Sequence, residues 1–177
     1  MKVLLGVSAS IAAYKSADVV SQLKKREGVD VSVVMTKHST AFITPLTLQA
    51  LSQNPVYLDV LDEPDPTKIA HIALPQSIDV FCLAPATANV IAKIAHGIAD
   101  DQLTSMVLAL NENTPKLIAP AMNTQMLENP ATVANLEVLQ NRGWQIIEPR
   151  VARLACGVDG KGAIAAVETI VDAICTQ

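Results

Sequence analysis

The chain has 177 residues, half of them hydrophobic and 17% charged, with a formal net charge of −4 at pH 7. That is the length of one ordinary domain with room for a sizeable core, and the apolar excess suits a sheet covered on both faces or an oligomer with apolar interfaces. The acidic balance, without a Lys/Arg run interleaved with aromatics, argues against nucleic acid; Cys82, Cys156 and Cys175, with no C-x-x-C spacing, argue against a disulfide framework or a structural metal.

Lys2–Val7 is a continuous apolar run and reads as a first buried strand. The opening MKVLLGVSAS turns at once into IAAYKSADVV, without the apolar core and A-x-A site of a signal peptide, and no segment has the roughly 20 apolar residues that span a bilayer. The expectation is a cytoplasmic protein with no membrane partner. Ala9–Lys25 carries Ala13, Ala17 and Val20 at helical spacing, and Val29–Met35 reads as a second strand. A Pro- and Asp-rich stretch, Asp59–Pro66, marks a surface loop and not a domain linker. Further on come strand Ile78–Ala84, helices Thr87–His96 and Gln102–Leu110, strand Lys116–Ala119, helix Pro130–Asn141, strand Trp144–Ile147 and a last helix Val167–Cys175. Gly157, Gly160 and Gly162 fall close together, so 149–163 reads as a mobile flap over a substrate.

Short buried strands alternating with helices imply a single α/β domain over residues 1–177, a Rossmann-like (flavodoxin-like) three-layer sandwich with a mostly parallel sheet. Ligands of such sheets lie beyond the carboxyl ends of the strands. The first strand runs into Ser8-Ala9-Ser10, small residues and hydroxyls that suit an anion at a helix start but equally an ordinary N-cap. This is not G-x-G-x-x-G, so the dinucleotide fingerprint is absent. The second strand ends in Thr36-Lys37-His38-Ser39-Thr40, a capping turn or a phosphate site, and the next in Ala84-Pro85-Ala86-Thr87-Ala88-Asn89. The last ends in PAMNTQM, where Asn123 is a helix cap or an amide donor to a ligand, with Met126 three residues on sharing its helical face. His71 as a lone histidine is more often structural than catalytic. Cys156 lies in the glycine-rich flap and is a possible proton donor or nucleophile, whereas Cys82 reads as core and Cys175 as helix packing.

Together, Ser8-Ala9-Ser10-Ile11-Ala12-Ala13-Tyr14-Lys15, Ala41–Leu46, His71-Ile72, Leu83–Asn89, Ala119–Asn123 and Leu154-Ala155-Cys156-Gly157 closely resemble the phosphopantothenoylcysteine decarboxylases, of the homo-oligomeric flavin-containing cysteine decarboxylase family. The motifs stand in family order from about Lys2 to the final helix. The resemblance implies an FMN-dependent enzyme of coenzyme A biosynthesis that converts 4′-phosphopantothenoylcysteine to 4′-phosphopantetheine. It also implies a trimer, or multiples of trimers, with flavin between subunits. The chain is too short to hold the ligase fused to some relatives, so a separate phosphopantothenoylcysteine synthetase is an expected partner.

By the same resemblance, Ser8, Ala9, Ser10, Thr36, Ser39, Thr87, Ala88, Asn89 and Ala121 hold the flavin, while Asn123, Met126, Arg153, Leu154 and Ala155 contact substrate. A cysteine carboxylate has no neighbouring carbonyl to accept charge as carbon dioxide leaves. The resemblance implies that two electrons would pass first from the thiol-bearing carbon to FMN, giving a thioaldehyde that can accept that charge. Asn123 would orient the carboxylate, His71 assist the oxidation, and Cys156 protonate the enethiolate as the electrons return. Peptidyl-cysteine decarboxylases stop at the oxidised enethiol and lack the flap cysteine. The alternatives are such an enzyme, a flavin prenyltransferase on this scaffold, or a non-catalytic regulatory flavoprotein. Asp100-Asp101-Gln102 departs from the family pattern, so no flavin contact is carried to it.

Overall fold

A computed structural model describes residues 1–62, 67, 69–155, 157 and 159–177. Its main sheet has strands β1 (Lys2–Val7), β2 (Asp30–Met35), β3 (Val56–Tyr57), β4 (Val80–Ala86), β5 (Lys116–Pro120) and β6 (Trp144–Ile146) in the order β3-β2-β1-β4-β5-β6. Every pairing among them is parallel. Setting aside the two-residue edge strand β3, the five longer strands follow the flavodoxin order, with the switch point between β1 and β4. The expected α/β fold is therefore what the chain adopts.

The central strands are buried on both faces, which is why they read as unbroken apolar runs. Val3, Leu5 and Val7 of β1 face one core with α1 (Lys15–Lys24), α2 (Pro45–Ser52) and α8 (Val167–Cys175), through Val19, Leu23, Leu48 and Ile170. Leu4 faces the other, with Phe81, Leu83 and α4 (Ala88–His96), α5 (Gln102–Leu108) and α7 (Pro130–Asn141). Phe81 and Trp144 meet edge to face there, centroids 5.8 Å apart.

Several expectations are refined. The helix read as Ala9–Lys25 begins as a 3-10 turn, Ile11–Tyr14, because the Ser10 hydroxyl accepts from the Ala12 N–H and draws the chain into a tight start. Strand β4 runs on to Ala86 and β5 to Pro120, carrying the ladder nearer the ligand edge. Three short helical elements escape the sequence reading: α2, whose signal was Thr44 capping a helix with Pro45 in its first turn, α3 (Ala70–Ala73) and α6 (Thr124–Leu127). Of the Asp59–Pro66 loop, 63–66 lies outside the described residues.

The departure at Asp100-Asp101-Gln102 has a structural role. Lys93 Nζ bonds Asp100 at 2.6 Å and lies 3.5 Å from Asp101, which caps α5 in a reciprocal box with Thr104. Gln102 is buried, and both amide atoms lack a hydrogen-bond partner among the described residues.

The segment read as a mobile flap is an antiparallel hairpin, β7 (Arg150–Arg153) and β8 (Asp159–Ala163), forming its own two-stranded sheet. Two of its glycines serve close approach: a Cβ on Gly160 would strike the Thr124 hydroxyl, and one on Gly162 the Met122 carbonyl. Met122 N–H donates to Gly162 O at 3.0 Å, clamping the base of the hairpin onto the end of β5.

Candidate functional site

Four adjacent strands, β2, β1, β4 and β5, end along the same edge, and their C-terminal loops are held together by short polar links. Ser8 is fully buried; its hydroxyl donates to Pro85 O at 2.8 Å and accepts from Thr87 N–H at 3.0 Å. One hydroxyl thus ties β1 to β4 across the switch point and fixes the start of α4. Thr87 caps that helix, its hydroxyl accepting from Val90 N–H, with Ala88 half-buried and Asn89 exposed in the first turn. Ala121 N–H donates to Ala86 O at 3.0 Å, joining the β5 loop to the same row.

At the end of β2 the Ser39 hydroxyl donates to Thr36 O at 2.7 Å. Thr36 itself is buried, and its Oγ1 has no hydrogen-bond partner among the described residues. A buried hydroxyl is costly to leave unmade. Here it lies beside the row of loops where an α/β sheet takes a ligand. That orphaned group, together with the N-terminus of α4, fits a cofactor bearing hydroxyls and an anionic end.

Between the β1 loop, the β5 loop and the hairpin lies a cavity of about 410 Å³. Ser10, Ala121, Asn123, Arg153, Leu154 and Ala155 line it, so the structure gathers six of the expected site residues. Asn123 is the N-cap of α6, its Oδ1 accepting from Gln125 N–H at 2.9 Å. The cap fixes the plane of the amide at the cavity wall. The apolar wall beside it is Met122; Met126 is half-exposed outside the cavity. His71, half-buried on α3, does not line it either. Cys156 lies outside the described residues, between Ala155 of the cavity wall and Gly157.

The sequence reading missed Lys15 and Tyr14, which also line the cavity. A signal existed: Lys15 puts a cation in the first turn of α1, the end of a helix that favours anions. The buried Cys82 thiol, in contrast, is pushed up to about 12 by desolvation and is chemically silent near neutral pH.

The model of the flavoprotein family matches residues 1–177. The chain is 53% identical over 173 residues to a probable phosphopantothenoylcysteine decarboxylase of Streptococcus mutans serotype c, covering 98% of this chain and 96% of that one. It is 47% identical to the coenzyme A biosynthesis bifunctional protein of Bacillus subtilis over 96% of this chain but 41% of that longer protein. Among solved structures, a variant PPC decarboxylase complexed with pantothenoylaminoethenethiol superposes with a TM-score of 0.86 at 34% identity, covering 99% of this chain and 96% of the other. The FMN-dependent cysteine decarboxylase SpaF also gives 0.86, at 33% identity and 100% and 96% coverage. With the family model spanning its whole length and the strand-end loops in place, this chain belongs to the flavoprotein family.

Proposed function

We propose that the protein is a phosphopantothenoylcysteine decarboxylase: it removes carbon dioxide from 4′-phosphopantothenoylcysteine to give 4′-phosphopantetheine in coenzyme A biosynthesis, in the cytoplasm, with FMN as cofactor. The observation that carries this is the convergence of Asn123, the hairpin residues Arg153–Ala155 and the β1 loop on one cavity, in a chain 53% identical to a probable decarboxylase of that name. FMN, when bound, supplies the reversible two-electron oxidation of the thiol-bearing carbon that makes a cysteine carboxylate labile. The loops Ser8–Ser10, Thr36 with Ser39, Thr87–Asn89 and Ala121 would hold it, and the orphaned Thr36 hydroxyl supports that assignment.

Asn123 binds and orients the carboxylate through its amide N–H, while Met122 keeps the leaving group poorly hydrated. Arg153, Leu154 and Ala155 cover the substrate from the hairpin, and Cys156 delivers the final proton. The cavity is of the size that takes one ligand and does not enclose substrate and FMN together. At or near the ligand edge, Ile11 (60%), Tyr14 (55%) and Leu46 (71%) are unusually exposed for apolar or aromatic side chains. Both facts support a homo-oligomer, a trimer or multiples of it, in which a neighbouring chain completes the site. His71 and Met126, outside the cavity of their own chain, would act across that interface.

The test is a visible spectrum of the purified protein with mass spectrometry of its product. Bound flavin and net conversion to phosphopantetheine are expected. Colourless protein, or a product halted at the enethiol, refutes the reading; the second result would assign a peptidyl-cysteine-type reaction.

A further inference from the structure

At the end of the sheet opposite the ligand edge, an apolar groove of about 220 Å³ lies between α4, α5 and the first residues of β5 and β6. Leu139 and Trp144 line it, and Ile98 (49%) and Leu108 (65%) stand exposed along it. Its lining includes two cations, Lys116 and Arg142, and no Asp or Glu among the described residues. Both cations donate to backbone carbonyls, Lys116 Nζ to Glu112 O and Arg142 Nη1 to Ala95 O, each at 2.8 Å, and neither has a carboxylate within 4.0 Å among the described residues. Burial holds the Lys116 ammonium below the usual lysine range, and the charge of Glu112 offsets this only in part, so a carboxylate brought to the groove would be favoured. The volume falls short of the roughly 300–1,000 Å³ of a small-molecule site and suits one aliphatic side chain as an anchor.

The complement stands on the same chain. Leu61, at 91% the most exposed large apolar side chain among the described residues, sits between Asp59 and Asp62. Asp59 Oδ1 accepts from Leu61 N–H at 3.0 Å and Asp59 O from Asp62 N–H at 3.2 Å, a turn that holds Leu61 out towards solvent. Neither aspartate forms an ion pair among the described residues. The turn follows β3 at one edge of the sheet, whereas Lys116 and Trp144 open β5 and β6 at the other edge and at the opposite end of the strands. At a strand spacing of about 4.8 Å the two lie roughly 20 Å apart or more, so a chain cannot fill its own groove.

We propose that a second copy of this chain fills it: Leu61 of one copy seats between α4 and α5 of the next, with Asp59 and Asp62 against Lys116 and Arg142. Apolar anchor meets apolar groove, and two free carboxylates meet two cations that have none. Knob and groove are different surfaces, so the contact is head to tail. It is separate from the association at the ligand edge and does not depend on the decarboxylase reading.

The experiment is sedimentation velocity of the flavin-loaded full chain over a concentration series, with disulfide trapping beside it. Leu61→Ser and, on the groove side, Leu108→Ser weaken the self-association about 10- to 100-fold, as loss of a buried anchor implies, while bound flavin stays at the wild-type level. Both side chains are exposed in the single chain, so neither change disturbs its core. A chain carrying Leu61→Cys and Leu108→Cys together, oxidised with copper phenanthroline, gives a ladder of linked chains whose digest holds the 61–108 disulfide, which neither single variant forms. Wild-type protein and Leu61→Ser that sediment alike at every concentration overturn the proposal, as does a double variant without that disulfide. Loss of flavin in Leu61→Ser would place Leu61 at the ligand edge and overturn it too. Colourless wild-type protein whose double variant still gives the ladder sinks the FMN reading and supports this one.

Discussion

Replacing Gly162 or Gly160 with alanine separates a docked hairpin from a loose flap. At Gly162 the added Cβ meets the Met122 carbonyl, and φ of +144° is a region that alanine rarely occupies. Relief requires β8 to lift, which breaks the 3.0 Å bond from Met122 N–H to Gly162 O. Strain of roughly 1–3 kcal/mol plus about 1 kcal/mol for the bond puts the cost near 2–4 kcal/mol. Because the hairpin is its own two-stranded sheet, this cost falls on its local opening, which should become on the order of 30- to 1000-fold more frequent. Limited trypsin digestion at Arg150, Arg153 and Lys161, with hydrogen exchange across 150–163, measures that opening. At Gly160 the clash is with the Thr124 side chain, so Gly160→Ala should be rescued by Thr124→Ala, whereas no side-chain change can rescue Gly162→Ala. Wild-type protection of the hairpin in Gly162→Ala, or failure of the Gly160→Ala rescue, would refute the docking argument.

Three further outcomes are expected. Ser8→Ala leaves Thr87 N–H without the hydroxyl that bridges the switch point, costing about 1–3 kcal/mol, which thermal denaturation reads at roughly 2–4 °C per kcal/mol for a domain of this size; an unchanged Tm would remove Ser8 from its bridging role. Thr36→Val keeps the shape and deletes a hydroxyl that has no partner among the described residues, so the flavin-free protein should lose no stability while FMN affinity drops about tenfold; unchanged FMN affinity in equilibrium dialysis would mean that the hydroxyl does not meet the cofactor. Cys82 keeps its proton in the folded state up to about 12 against an ordinary value of 9.0. The unfolded chain therefore releases that proton first, and stability falls as pH rises through this window, by up to about 1.4 kcal/mol per unit. Urea unfolding at several alkaline pH values should show a slope that Cys82→Ala lacks, and equal slopes would refute it.

The sheet was legible because strands buried on both faces leave continuous apolar runs, and because their order follows from short crossovers. Helices α2, α3 and α6 were not, since four to eight residues give too little periodicity to set against their neighbours. The docking of the hairpin was not legible for a different reason. Glycine reports only that a side chain is not tolerated, and the cause at 160 and 162 is contact with Thr124 and Met122, nearly forty residues away in sequence. Lys15 was passed over because a lysine in an N-terminal helix looks solvated until the hairpin closes the cavity around it.

Capping and ligand binding are compatible roles at a strand end. Ser10, Thr87 and Asn123 all cap, each accepting from a backbone N–H at the start of a helical segment. A cap is a side chain held at a strand's carboxyl end in one rotamer, which is also what a ligand site at that edge needs. The cap alone leaves the residue type open, because Ser, Asp and Asn are nearly equivalent there. At position 123 the equivalence breaks once the second face of the side chain is considered. Serine lacks the reach of an amide, and aspartate would set a fixed negative charge against an anionic substrate in a cavity whose described lining residues include no acid. Asparagine caps through its oxygen without adding a charge to the cavity wall. Its position is thus set by the fold, and on the proposed reading its neutrality is set by the ligand.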